Sequence, residues 1–354
     1  MKLLVSGGAG FIGSAICRHA IVALGWEIVV VDKLTYAGHM ASLAPVSGSR
    51  AFAFERADVG DRSAMDAILR RHRPHAIMHL AAESHVDRSI VQAVDFIQTN
   101  VVGTFTLLEA ARDYWDDLDS GARERFRFLH ISTDEVYGSL GAGRFAREDD
   151  PFSPSSPYAA SKAASDHLVL AWHRTYGLPG IVTHCANNYG PYHLPEKLIP
   201  LMILNALDHL PLPVYGDGRN VREWLYVDDT VRALLLVLDG GRAGETYNIG
   251  VPSERTNIEV VERICDLLDR HHPSPQSHRS LIRYVADRPG HDRRYATDAT
   301  KIMSELGWHA EVDFETGLEK TVLWYLANRD WWEPIRLAGR TTGPAHMAAS
   351  EPEG

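Results

Sequence analysis

The sequence predicts an α/β fold: a doubly wound parallel sheet followed by a smaller C-terminal domain. Three observations carry this. Strand-like and helix-like segments alternate through the first half. One strand-like segment contains Ile28-Val29-Val30-Val31, an unbroken apolar run of the kind that is buried on both faces. The alternation then stops near residue 187, where 191–218 turns rich in proline and glycine. At 354 residues the chain has room for two domains, or one large one. It can bury roughly three quarters of its unfolded surface without a disulfide or metal staple.

The elements follow in order. Residues 2–6 form a short apolar strand that ends in glycines, and 11–24 reads as a helix. Strands follow at 27–32 and 51–58, with a helix over 61–72 and a further apolar strand over 76–82. A long helix is expected over 92–115. Strands at 127–133 and 180–188 flank a helix over 158–176, where Pro157 favours a helix start. In the second half, helices are expected over 228–238, 257–269 and 314–328, and a strand over 245–249. A polar loop at 271–279 leaves His271, His272 and His278 solvated. Residues 338–354 are small, polar and Pro/Gly-bearing, as in a disordered tail.

Composition excludes several classes of function. The formal net charge is −10, from 46 acids against 36 bases. Broad phosphate neutralisation needs a basic chain, so nucleic acid is not an expected partner. A local basic cluster for a small anion remains open. The three cysteines, Cys17, Cys185 and Cys265, are far apart and lack a CxxC spacing. No disulfide framework follows, and a reducing, cytoplasmic setting is expected. No apolar run reaches about 18 residues, so no membrane span is expected, and the N-terminus has no signal-like apolar stretch. The 18 histidines form no zinc pattern, so no metal is expected. His75 and His79 flank a strand and read as packing groups.

Gly7, Gly10 and Gly13 lie at the first strand–helix turn, in Gly7-Gly8-Ala9-Gly10-Phe11-Ile12-Gly13. Glycines there allow positive φ and close approach to a pyrophosphate, and the helix N-terminus offers free N–H groups. The spacing is G-x-x-G-x-x-G rather than G-x-G-x-x-G. Asp32 ends the second strand, where an acid takes the adenosine ribose hydroxyls and disfavours a 2′-phosphate. NAD is therefore expected over NADP, although Lys33 beside the acid could tolerate a phosphate. Asp58-Val59 would lie near the adenine, and Leu80-Ala81-Ala82 beside the cofactor phosphates.

Tyr158 and Lys162 form a Tyr-x-x-x-Lys pair on one helix face. A nearby ammonium stabilises phenolate, which makes the tyrosine a base near neutral pH. The fifth strand ends in Thr133-Asp134-Glu135, at the edge that faces the ligand crevice of an open α/β sheet. Alone, this carboxylate pair reads equally as a solvated strand end or a helix cap.

Taken together these residues resemble the extended short-chain dehydrogenase/reductases. Thr133-Asp134-Glu135 is similar specifically to the dTDP-glucose 4,6-dehydratases. The resemblance also rests on Asp32-Lys33-Leu34-Thr35-Tyr36-Ala37-Gly38 and Ala82-Glu83-Ser84-His85-Val86-Asp87-Arg88-Ser89. It continues through Asn187-Asn188-Tyr189-Gly190-Pro191, Pro195-Glu196-Lys197-Leu198-Ile199-Pro200, Tyr215-Gly216-Asp217-Gly218 with Arg222, and Asp287-Arg288-Pro289-Gly290-His291-Asp292. It runs from Met1 to about Trp332.

The resemblance implies a Rossmann-like NAD-binding domain over 1–186 with a return segment near 224–250. It implies that 187–332 mainly binds a sugar nucleotide, dTDP-glucose. Tyr158 would remove the 4-hydroxyl proton while hydride passes from C4 to NAD+. Lys162 would lower the Tyr158 pKa and hold the nicotinamide ribose, and Thr133 would bond the 4-oxygen. Glu135 would take the C5 proton and Asp134 would protonate the departing 6-hydroxyl, before hydride returns to C6. Ser84, Thr99 and Asn188 join the cofactor contacts. Ser84, Asn187, Glu196, Lys197, Arg222, Asn257, Arg288 and His291 would surround the substrate, with Pro213 and Tyr215 at the nucleobase. The helices at 92–115 and 158–176 would form a homodimer surface.

His39, Gly60 and Val251 depart from the family pattern, and none of them touches the reactive cluster. Rival readings are a sugar-nucleotide 4-epimerase, a dehydratase for a UDP-, CDP- or GDP-linked sugar, and a catalytically silent NAD sensor. An epimerase needs no acid/base pair for C5–C6 chemistry, and a sensor needs neither Tyr158 nor Glu135.

Overall fold

The structure, a computed structural model, describes the backbone of residues 1–342. Its strands are β1 (Lys2–Ser6), β2 (Glu27–Val31), β3 (Phe52–Glu55), β4 (Ala76–His79), β5 (Arg127–Thr133) and β6 (Gly180–Cys185), followed by β7 (Asn187–Tyr189), β8 (Leu212–Tyr215), β9 (Val221–Tyr226), β10 (Thr246–Ile249), β11 (Glu254–Thr256) and β12 (Ile282–Val285). Seven of them form one sheet in the order β10-β6-β5-β4-β1-β2-β3. Every pairing in it is parallel. The order reverses between β1 and β4, which opens a crevice at the strand C-termini.

Alternation along each strand divides the core between two faces. Leu3, Val5, Val30 and Met78 face the helices Phe11–Val22 and Val227–Gly240. Leu4, Val29, Ile77 and Phe128 face the helices Arg62–His72, Gly103–Asp116 and Pro157–Tyr176. Helix boundaries follow local chemistry. The Asp61 carboxylate accepts from Ala64 N at the start of Arg62–His72. The Ser156 hydroxyl accepts from Ala159 N at the start of Pro157–Tyr176, with Pro157 in the first turn and Gly177 left-handed (φ 77°) at the end.

A second core gathers the helices Leu198–Leu207, Asn257–His271 and Phe314–Ala327 around Tyr189, Trp224 and Tyr226, with Trp331 and Trp332 buried against them. It sits beside a three-stranded sheet (β11-β9-β7) and a two-stranded one (β12-β8). The chain then returns to the first sheet. Val227–Gly240 covers it and β10 pairs with β6. Ala299, Ile302 and Trp308 also pack into this first core.

Some expectations change. The helix expected at 92–115 begins earlier and breaks into Val86–Val91, Ala93–Phe96, a π-helical segment Ile97–Val102, and Gly103–Asp116. Leu198–Leu207 is helical within the stretch read as rich in proline and glycine; its buried residues surround it, so no polar face marks its period. His278 is buried and bonded to Asp269 rather than solvated. The helix Arg329–Thr342 takes in 338–342, which were expected to belong to a disordered tail; 343–354 lie outside the described residues. No described helix is long and apolar enough to cross a membrane.

Candidate active site

The glycine-rich turn lies in the crevice between β1 and β4. Gly7 has φ +70°, and a Cβ there would sit 2.6 Å from Ala81 N. A Cβ on Gly13 would come 2.3 Å from Gly7 O, so only glycine lets the helix enter so tightly. Gly10 caps Phe11–Val22 without a side-chain bond. The first-turn N–H groups are therefore available to an anion. Phe11 stacks on His193 with ring centroids 4.3 Å apart, and Ile12 packs against the first core.

Asp32 is fixed beside this turn. Its carboxylate accepts from Ala9 N at 3.0 Å and Leu34 N at 2.8 Å. Lys33 pairs with Asp58 at 3.2 Å and also reaches the Thr99 hydroxyl at 3.4 Å. Its charge is thus shared with a carboxylate rather than free for a 2′-phosphate. Val59 is buried beneath Gly103. Leu80 and Ala81 press on the turn, and Ala82 follows them into the loop that carries Ser84. The Asn188 amide donates to Ala186 O, and its carbonyl accepts from the Thr230 hydroxyl, so that side chain is committed within the protein.

The reactive residues meet at the end of β5. Thr133 caps the turn Asp134–Tyr137, its hydroxyl accepting from Glu135 N at 3.2 Å and donating to Asp134 Oδ1 at 3.3 Å. Burial pushes the Asp134 carboxyl well up, and the neighbouring carboxylates of Glu135 and Glu223 add to it. Burial also raises Glu135, but Arg288, Arg222 and Lys197 all oppose that rise. Both acids are thus raised, Asp134 well above its ordinary value beside Glu135 and Glu223, and Glu135 against three opposing cations, of which Arg222 acts on both.

Tyr158 and Lys162 lie on one face of Pro157–Tyr176, as expected, but their electrostatics differ from the expectation. Burial around the Tyr158 hydroxyl, and then Glu135, push the phenol well above its ordinary value, while a hydrogen bond with Thr133 works against this. Lys162 points behind the site. It donates to Ile131 O at 2.8 Å and lies 3.2 Å from His130 Nε2. Burial lowers it to about 8. In the free protein, burial and then the neighbouring carboxylates set the Tyr158 phenol above its ordinary value.

The remaining predicted residues line the cleft between the two cores. Lys197 donates to Ser84 O at 2.8 Å. Arg222 donates to Asp292 O at 2.9 Å and lies over the Tyr295 ring, whose hydroxyl reaches Asp292 at 2.6 Å. Arg288 and Tyr215 both donate to Asp87, at 3.0 and 3.2 Å. His291 bonds Asp287 at 2.6 Å, and Pro213 lies in β8 opposite Arg283. Several polar atoms here are buried with no partner: Asn187 Oδ1, Glu196 Oε1, Asn257 Oδ1 and Arg288 Nε. Such atoms are the natural acceptors and donors for a bound ligand.

The structure adds residues that were not singled out in the sequence. Asn100, in the π-helical segment, clamps Glu83 through its main-chain N and O and donates to Ser161 Oγ at 2.8 Å. Glu223, Asp292 and Tyr295 complete the wall beside Asp134 and Glu135. Asp292 stands within a segment that carries the family resemblance, which was the one available signal. Among the described residues, no group of His, Cys, Asp or Glu is placed to hold a metal ion.

A dinucleotide turn at the switch point and a Tyr-x-x-x-Lys helix beside it are the ground plan of the extended short-chain dehydrogenase/reductases. Comparison narrows the class. A family profile described as GDP-mannose 4,6 dehydratase matches residues 4–321. The chain is 59% identical to a probable dTDP-glucose 4,6-dehydratase of Sinorhizobium fredii, over 95% of this chain and 96% of that protein. It is equally similar, at 59% over the same shares, to dTDP-glucose 4,6-dehydratase 1 of Escherichia coli. Among solved structures, DesIV, a dTDP-glucose 4,6-dehydratase of Streptomyces venezuelae crystallised with NAD bound, superposes with a TM-score of 0.88. It is 50% identical, covering 95% of this chain and 100% of that one. The chain belongs to the GDP-mannose 4,6 dehydratase family and, within it, to the dTDP-glucose 4,6-dehydratases.

Proposed function

We propose that the protein is an NAD-dependent lyase that converts dTDP-glucose to dTDP-4-keto-6-deoxyglucose. The observation that carries this reading is the separation of Asp134 from Glu135. Elimination across C5–C6 needs one carboxyl neutral and one ionised at the same pH; burial and two carboxylate neighbours push Asp134 well up, while three cations oppose the rise of Glu135. A 4-epimerase has no use for such a pair.

The glycine turn, Asp32 and the free N–H groups of Phe11–Val22 suit NAD, with Lys33, Asp58, Val59, Thr99, Leu80, Ala81, Ala82, Ser84 and Asn188 around it. NAD, when bound, takes a hydride from C4 of the sugar and returns it to C6. Tyr158 removes the proton of the 4-hydroxyl, and Thr133 holds the 4-oxygen. The 4-ketone acidifies the C5 proton, which Glu135 removes, and C5 takes a proton back as hydride reaches C6. Asp134 protonates the departing 6-hydroxyl. Arg222, Arg288 and Lys197 supply charge for the diphosphate. Asn187, Glu196, Asn257 and His291 contact the rest of the sugar nucleotide, with Pro213 and Tyr215 at the base. On this reading 1–186 and the return segment near 224–250 carry the cofactor, and 187–332 mainly carry the substrate.

The protein works as a cytoplasmic homodimer. Val91 (75% exposed) and Val94 (69%), with Ile97, Phe105 and Tyr176, form an apolar surface on the helices that carry the catalytic pair and its neighbours. Solvated faces of that composition are uncommon on monomers.

The test is incubation with dTDP-, UDP-, CDP- and GDP-glucose in deuterated water, followed by mass spectrometry. Loss of one water from dTDP-glucose, with deuterium at C5, is expected. An unchanged mass with an inverted C4 would instead establish an epimerase.

A further inference from the structure

Tyr158, Lys162 and Asp166 fall at successive i, i+4 positions on Pro157–Tyr176, so the Tyr-x-x-x-Lys face continues into a fully buried carboxylate. No step of the reaction described above uses Asp166. It is nonetheless surrounded by donors. Ser132 Oγ donates to Oδ2 at 2.9 Å and His184 Nε2 lies 3.0 Å from the same oxygen. His130 Nε2 lies 3.3 Å from Oδ1, an oxygen that is buried without a hydrogen-bond partner. The same His130 nitrogen lies 3.2 Å from Lys162 Nζ. One ring nitrogen cannot both accept from an ammonium and donate to a carboxylate. His130 therefore couples the charge of Lys162 to the state of Asp166, and its other nitrogen, Nδ1, is buried without a partner.

We infer that Asp166 is a positioning residue: the buried counter-ion that keeps Lys162 protonated and directed behind Tyr158. This rests on the reading of Tyr158 and Lys162 as the hydride-step pair. The groups facing Lys162 and Asp166 permit no other source of negative charge. From β5 comes His130, which burial and then Lys162 lower to about 4, so it stays neutral. From β4 comes His79, packed on His130 at 5.1 Å between ring centroids and lowered by burial. From β6 come His184 and Cys185, the latter raised by burial to about 12. Tyr137, behind His184 at 2.7 Å, is a phenol raised by burial. Tyr158 is itself raised. Burial would raise Asp166 too, but the neighbouring imidazoles of His130 and His184 hold it below the ordinary carboxylate range. Asp166 is thus the one ionised acid in the cluster at neutral pH.

The test is direct, because the chain has only 6 lysines. Lysine labelled with 13C at Cε gives few resonances, and the one absent from Lys162→Arg is Lys162. In the parent protein Lys162 is expected to titrate near pH 8 and to be charged at pH 7; a neutral Lys162 at pH 7 would overturn the inference without any variant. In Asp166→Asn, or in Asp166→Ser should the Asn variant not fold, that titration moves down by about one unit or more. The alkaline limb of kcat moves with it while KM for dTDP-glucose holds within about twofold. Asp166→Glu restores the parent profile. Unchanged titration of Lys162 in the neutral variants overturns the inference. A parent protein inactive on dTDP-glucose, with the Lys162 shift intact, would instead sink the proposed reaction and leave the counter-ion standing.

Discussion

At the scale of single residues, the division of labour proposed for Asp134 and Glu135 rests on their neighbours rather than on their chemistry. Glu135→Gln is expected to keep NAD binding, read by fluorescence, and to lose dehydration by about 10²–10⁴-fold in kcat. Full activity in that variant would remove Glu135 from its role as base. Glu223 gives a second prediction. Burial raises it to about 7 from an ordinary 4.5. A carboxyl raised on folding contributes stability that is present below its unfolded pKa and lost as pH climbs through its folded one. Thermal melts of the parent should thus lose stability between about pH 4.5 and pH 7 through this group, by at most about 3 kcal/mol. Glu223→Gln should flatten that decline; parallel melting curves at pH 5 and pH 8 would refute it. Tyr158 and Lys162 were legible as a helix spacing, which is local, whereas Thr133 and Asp134 drew their meaning from the family resemblance. Glu223, Asp166 and Tyr295 were not, since only tertiary packing brings them together.

At the scale of elements, the strands buried on both faces were legible as apolar runs, and β5 spans the very residues expected of it. The strands β8, β9, β11 and β12 were not, because outside the parallel sheet they are not continuous apolar runs, and β7 was read as the end of one strand over 180–188. The break at Ile97–Val102 escaped notice because it adds no proline or glycine; it shows in the π-helical backbone and in the contacts of Asn100. Two substitutions probe the elements that hold the site. Gly7→Ala places a Cβ 2.6 Å from Ala81 N at a positive φ, and should abolish NAD binding in calorimetry while urea melts still show a folded protein. Ser156→Ala removes the cap of the catalytic helix and should cost about 1 kcal/mol in a urea melt. A loss of kcat much larger than the loss of stability would mean that the cap also aims Tyr158.

At the scale of the whole molecule, the apolar surface around Val91, Val94 and Phe105 predicts self-association. Sedimentation should give twice the 39.3 kDa chain mass, and Val94→Asp with Phe105→Glu should shift it to one. A parent sedimenting as a single chain would refute the dimer. The site itself belongs to both cores, since Lys197 reaches back to Ser84 and Arg288 to Asp87.

The pairing of β10 with β6 governs the order in which the chain can be made. A nascent chain halted at 186 has every residue of β6 but not the strand that seals it. An open, flat, apolar edge recruits other chains. The ribosome must deliver the whole stretch to Ile249 before the first sheet closes, so the cofactor half cannot be expressed by cutting at the change in composition. A fragment of 1–186 should aggregate, and a fusion that joins 227–249 directly to 186 should not.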